Sequence, residues 1–236
     1  MAAAGITLAI VLRIVWKWLK KLVFWFLILS LAGVVLLRFV PPPFTWLMLS
    51  RAAEQKWEGR NLVWEKEWVS LDKLPNSLPL AAVCSEDQNF LSHHGFDFKA
   101  IEAALAYNRT HEDKRGASTI SQQTAKNAFL WEGRSWLRKG LEVWFTALIE
   151  LFWSKQRIME VYLNIIEFGD GIYGAEAAAQ HYFHKHASTL SRVEAARLMS
   201  VVPSPRNWSI EGKISRLRTR AILRQMNNWG GVLKFE

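Results

Sequence analysis

Residues 135–152 read SWLRKGLEVWFTALIELF. Leu137, Leu141, Trp144, Phe145, Leu148 and Phe152 recur at a spacing near 3.6, so one helix with a single apolar stripe is expected over the whole stretch. Arg138 and Glu142 stand four residues apart, and Lys139 and Glu142 three apart. That spacing puts one carboxylate and two cations on neighbouring rows of the same helix. A helix with one apolar face needs other elements to cover it.

The flanking sequence supplies more helices. Thr119 and Gln122 form a T-x-x-Q capping box that opens a helix through QQTAKN. Asp97 is placed to N-cap a helix through IEAALAYN to Asn108, and residues 108–116 are polar enough for a mobile loop. Downstream, a helix fits Lys155–Asn164 and stops before Gly169. Ser191 and Glu194 make a second capping box ahead of VEAARLMSVV, which Pro203 stops. A basic helix over Ile214–Asn228 ends at Gly230-Gly231. Only RNLVWEKEWVSL, residues 60–71, reads as extended. The expected class is mainly α.

The N-terminus has a different character. Leu22–Val40 (LVFWFLILSLAGVVLLRFV) carries one charge, Arg38, and as a helix spans roughly 28 Å, near the ~30 Å of a hydrocarbon layer. Arg13, Lys17, Lys20 and Lys21 precede it without any acid, which predicts a cytoplasmic N-terminus and an exported remainder. Pro41-Pro42-Pro43 follows instead of a small-residue cleavage site, so an uncleaved anchor is expected and not a signal peptide. The expected division is a basic segment 1–21, a transmembrane helix 22–40, a linker and membrane-proximal segment 41–59, and a folded domain 60–236.

Composition narrows the function. Thirty basic and 21 acidic residues in 236 give a net charge of +9, but the first 40 residues hold five of the bases and no acid. The rest carries only about +4, too little to call for nucleic acid. The single cysteine, Cys84, excludes an internal disulfide framework and a multi-cysteine zinc site. The 13 tryptophans fit core and interfacial positions, where an apolar body with one N–H is useful.

Four polar clusters interrupt the apolar background. Glu86-Asp87 follows LPLAAVC, where a carboxylate closing a buried helix would serve as a general base or else be a solvated helix end. The adjacent His93 and His94 do not share a helical face, which favours hydrogen-bonding roles over metal ligation. Arg115, Gly116, Ser118, Thr119, Gln122, Gln123, Lys126 and Asn127 surround a helix start, whose N–H groups and dipole suit an anion. The Walker A spacing is absent. Arg134, Arg138 and Lys139 around Glu142 would grip a phosphate, or else form ordinary surface ion pairs. Lys155 to Gly169 looks like a structural helix with a capped end.

Their order is more specific than any one cluster. E-D-x-x-F-x-x-H-x-G at 86–95, G-x-S-T-x-x-Q-Q-x-x-K-N at 116–127, R-K-x-x-E at 138–142, K-x-x-I-x-x-x-Y-L-N-x-x-x-x-G at 155–169 and RAILRQM at 220–226 closely resemble the successive motifs of the peptidoglycan glycosyltransferases. The resemblance spans roughly residues 60–230. No transpeptidase domain follows the fifth motif, so the expectation is the monofunctional biosynthetic branch.

That resemblance implies a lysozyme-like α fold with a small membrane-associated subdomain, to which the stretch near 108–134 would belong. It implies polymerisation of lipid II, by inversion, into β-1,4-linked glycan strands with release of undecaprenyl diphosphate. Glu86 matches the family's base and Glu142 its second carboxylate, which would assist the leaving group directly or through a divalent cation, Mg or Mn. No organic cofactor is expected. Lys126, Arg134, Arg138 and Lys139 would face the diphosphate, and Ser118, Gln122, Gln123 and Asn127 would orient sugar or phosphate. Asp87, His94, Arg115 and Thr119 complete the expected substrate contacts. The expected partners are lipid II, the growing lipid-linked glycan, the membrane and other cell-wall synthesis or division proteins, with no nucleic acid. The expected place is the bacterial inner membrane, single-pass, with the catalytic domain outside the cytoplasm. Two rivals are a peptidoglycan-cleaving lysozyme or lytic transglycosylase, which shares two carboxylates but needs no cationic cluster, and a non-enzymatic membrane scaffold.

Overall fold

A computed structural model describes residues 2–133, 135–230 and 232–235, with side chains from Leu12 onward. Arg134, one of the expected phosphate ligands, and Gly231 lie outside the described residues. The chain forms two compact units, residues 1–40 and residues 41–236.

The first unit is one helix, α1 (Ala2–Phe39). An 18-residue stretch within Leu12–Phe39 has a mean hydropathy of 2.4, and the helix is long and apolar enough to cross a membrane. Helix also continues upstream of the 19-residue run, because Lys17, Lys20 and Lys21 are good helix formers and nothing breaks the ladder. Lys20 and Lys21 lie 5.3 and 5.0 Å from the rings of Trp16 and Trp18. Cation and aromatic are thus paired along the same helix.

The second unit opens with α2 (Trp46–Trp57), capped by the Thr45 hydroxyl, which accepts from the Met48 N–H. Much of the segment expected to be linker is therefore helix within the folded unit. The expected extended stretch also shrinks: only Glu65–Lys66 (β1) is strand. β1 pairs parallel with β3 (Ile172–Tyr173), and β3 pairs antiparallel with β2 (Glu167–Gly169), giving the order β1-β3-β2. Gly171, at φ +79° between β2 and β3, lies against the Val63 carbonyl, where a side chain would collide.

The remainder is helical. α3 (Ser77–Glu86) buries every residue from Leu78 to Cys84. α4 (Phe98–Thr110) is capped by Asp97, whose Oδ1 accepts from the Ala100 N–H at 2.9 Å, and buries no residue. α4 runs two residues past Asn108, and that side chain brackets the backbone N–H and C=O of Arg115, closing the expected mobile loop on itself.

α5 (Ile120–Phe129) and α9 (Arg192–Val201) both start with complete capping boxes. α6 (Trp136–Phe152) packs on α5, and α5 in turn on α7 (Lys155–Ile165). α8 (Ala175–Phe183) follows the sheet, and α10 (Lys213–Trp229) packs with α9 and α3. The buried face of α6 is Glu142, Phe145, Thr146, Leu148 and Ile149, so the expected stripe is turned: Leu137 is exposed, and Leu141, Trp144 and Phe152 are half-buried. A carboxylate stands inside where hydrophobicity alone would place leucine.

Candidate active site

Glu86 is the last residue of α3, where an apolar helix delivers a carboxylate to the edge of the core. Its Oε1 accepts from Ser85 Oγ at 2.7 Å and lies 3.4 Å from Arg218 Nη2, while Oε2 accepts from Gln123 Nε2 at 3.2 Å. Arg218, on α10, also donates through Nε to the Ser200 carbonyl, so α3, α9 and α10 meet at this carboxylate. Arg218 lies two residues before the RAILRQM motif, and only the packing of α10 on α3 reveals it.

Asp87 is turned inward. It is buried, both oxygens lie 3.0 Å from His93 Nε2, and Oδ2 also accepts from the Ile120 N–H at 2.9 Å. His93 Nδ1 accepts from the Gly95 N–H at 3.1 Å, which assigns the proton to Nε2. Asp87 thus fixes the first turn of α5. The histidine that contributes is His93, while His94 is exposed. Gly95 (φ +88°) has no room for a Cβ, which would meet Thr146 Cγ2 at 2.8 Å, and its carbonyl accepts from the Thr119 hydroxyl.

Thr119 and Gln122 are also turned inward. Each side chain bonds the other's backbone N–H, and both are buried, so they cap α5. Ser118 and Arg115 are exposed beyond the cap, with the Arg115 guanidinium 3.7 Å over the Tyr107 ring. Lys155 holds Glu150 at 2.7 Å, and Glu150 accepts from Ser121, as suits a structural helix start.

The outward face of α5 is the remaining part. Gln123, Lys126 and Asn127 line an open groove of about 570 Å³ together with Arg138, Arg51, Glu132 and Glu167. Lys126 makes no hydrogen bond or ion pair among the described residues, and burial holds its ammonium below the ordinary lysine range. Glu142 partly opposes that shift; Arg138 and Lys139 reinforce it. Glu142 itself is buried, with Arg138 Nη1 3.0 Å from Oε2 and Lys139 Nζ on Oε1. Arg138 Nε is buried without a partner among the described residues.

Three cations, Lys126, Arg138 and Lys139, thus stand around the one carboxylate of Glu142. Glu86 is one hydrogen bond away, through Gln123, from the face that carries Lys126. Both oxygens of Glu142 are taken by cations, and no group of three His, Cys, Asp or Glu suited to a metal occurs among the described residues. The described residues form no protein-only cage for a divalent cation. Arg51, Glu132 and Glu167 went unnoticed in the sequence because no motif marks them. A second groove of about 430 Å³, lined by Asp170 and Arg206, shares Arg51 and Glu167 with the first.

A family model described as Transglycosylase matches residues 57–227, and the chain belongs to that family, whose domain is lysozyme-like. Curated relatives narrow the assignment. The chain is 52% identical over 215 residues to the biosynthetic peptidoglycan transglycosylase of Pseudomonas entomophila (strain L48), covering 90% of this chain and 91% of the relative. It is 54% identical over 216 residues to that of Stutzerimonas stutzeri (strain A1501), covering 90% and 89%. It is 49% identical over 222 residues to that of Pseudomonas aeruginosa, covering 93% and 96%. Within the family it stands among the biosynthetic peptidoglycan transglycosylases.

Proposed function

We propose that the protein polymerises lipid II into β-1,4-linked glycan strands and releases undecaprenyl diphosphate, with inversion at the sugar. The observation that carries this reading is the joining of Glu86, through Gln123, to a groove faced by Lys126 and Arg138. In this reading Glu86 takes the proton from the attacking 4-hydroxyl as its oxygen bonds to C1. The C1–phosphate bond breaks, and its electron pair leaves with the diphosphate. Ser85, Gln123 and Arg218 hold the carboxylate in position for that transfer.

Lys126 and Arg138 meet the leaving charge in a partly buried setting, where a fixed cation acts more strongly than in water. Glu142 orients Arg138 and Lys139 and does not itself touch the substrate. Asn127 and Gln123 orient sugar or phosphate in the groove. The apolar helix α1 suits a single-pass anchor in the inner membrane with its basic end in the cytoplasm. Exposed Phe98 and Leu105 on α4, and Trp136, Leu137 and Leu151 on α6, suit contact with the bilayer that holds the polyprenyl chain.

The test is purified protein with labelled lipid II in detergent, products resolved by size. Glu86→Gln is expected to lower polymerisation by about 10²–10⁴-fold while lipid II still binds. Full polymerisation by that variant removes Glu86 from the role. Release of fragments from finished wall, with lipid II untouched, favours the cleaving rival.

A further inference from the structure

We propose that Arg51, on α2, is a positioning residue of the diphosphate site; this rests on the reading of the groove given above. The family match begins at residue 57, where α2 ends. Arg51 and Leu47 nonetheless line the groove beside Lys126 and Arg138. An element just ahead of the family match thus walls the site.

The contacts explain how it acts. Arg51 Nη1 lies 2.8 Å from Glu54 on its own helix, Nη2 2.6 Å from Glu132, and Nε 3.5 Å from Glu167 in β2. The Ser50 hydroxyl lies 3.3 Å from Glu132, but its one proton has a shorter acceptor in the Leu47 carbonyl at 2.9 Å. Glu132 sits in the short connection between α5, which carries Gln123, Lys126 and Asn127, and α6, which carries Arg138 and Lys139. α2 therefore grips, through Arg51, the joint between the two helices whose cations meet in the groove. On the other side of the guanidinium, Nε faces Glu167, whose side chain is only 6% exposed, as an ion pair without a hydrogen bond. Arg51 is itself 17% exposed, and charge-assisted bonds shielded to this degree hold their geometry better than open surface pairs.

The experiment compares full-length wild type, Arg51→Ala, Arg51→Lys, Glu132→Ala and the double alanine variant in detergent. It reads KM and kcat for lipid II, affinity for undecaprenyl diphosphate, and Tm. Arg51→Ala and Glu132→Ala are each expected to raise KM about tenfold and weaken undecaprenyl diphosphate by the same factor, with kcat within about threefold. The double variant should be no worse than the stronger single, because both break one contact, and Arg51→Lys should recover most of the affinity.

Glu132 is more exposed than Arg51, so its variant reports the grip even if Arg51→Ala fails to fold. Wild-type or tighter affinity in Glu132→Ala, or independent additive losses, overturns the proposal. Lys126→Ala serves as the control on the underlying reading. If it keeps full affinity for undecaprenyl diphosphate, the groove assignment fails. If it loses affinity while the Arg51 and Glu132 variants keep theirs, only the grip fails.

Discussion

Two asparagines mark the difference between the helices that face the groove and those that carry the fold. Asn164, on α7, is fully buried: Oδ1 accepts from the Val69 N–H at 2.9 Å, and Nδ2 donates to the carbonyls of Val69 and Glu160, each at 2.8 Å. Asn127, on α5, is half-buried in the groove wall. The same contrast runs through the charges. Glu176 on α8 is matched by the Ala187 N–H and by His186 and Gln180, whereas Lys126 makes no hydrogen bond or ion pair among the described residues. A polar group saturated by its own protein adds to stability, and one left open is available to a ligand.

The sharpest way to break this contrast is Asn164→Ala. It leaves the Val69 N–H and carbonyl unpaired inside the protein, which should cost about 3 kcal/mol or more in unfolding free energy. Denaturant unfolding measures the loss, and kcat of the protein that remains folded should be unchanged. A fall in kcat with stability intact would move Asn164 from scaffold to site.

The second prediction is an effect of pH on the open side. A lysine carries its charge below its pKa, so a lowered pKa means the charge is lost earlier as pH rises. Lys126 should therefore impose an alkaline fall in kcat/KM below the ordinary lysine range of about 10.4. A bound diphosphate favours the charged form, so the fall in kcat at saturating substrate should lie at higher pH. Lys126→Arg keeps its charge throughout and should remove the limb. A limb that persists in that variant belongs to another group.

How much of this could be read in advance follows the range of the interactions. The caps at Asp97, Thr119 and Ser191, and the cations placed three and four residues before Glu142, are local chemistry, and they stand as the sequence implied. The orientation of α6 was less legible, because its inward residues include Glu142 and Thr146, and a stripe drawn through the apolar positions misses them. Asp87 and Gln122 read as ligands for the same reason that they serve as caps: a side chain that can bind a substrate can equally bind a helix start. Arg51, Glu132 and Glu167 come from three distant parts of the chain, and nothing local announces that they meet.

The mildest prediction tests whether a satisfied cap far from the groove is purely structural. Ser191 Oγ accepts from the Glu194 N–H at 3.3 Å, and Glu194 accepts in return from the Ser191 N–H at 2.8 Å while pairing with Lys185 at 2.6 Å. Burial works against the Glu194 charge, but the bonds from Lys185 and Ser191 outweigh it and pull its carboxyl down to about 2. A depressed carboxylate stabilises the fold above its unfolded pKa of about 4.3. That contribution is lost as pH falls toward about 2. Ser191→Ala removes the hydroxyl acceptor, leaves Lys185 in place, and should cost about 1 kcal/mol at neutral pH with no change in kcat or KM. Glu194→Gln should cost less at low pH than at pH 7, since there the native carboxyl is itself partly protonated. An equal cost at both would mean the ion pair with Lys185 adds nothing to the cap.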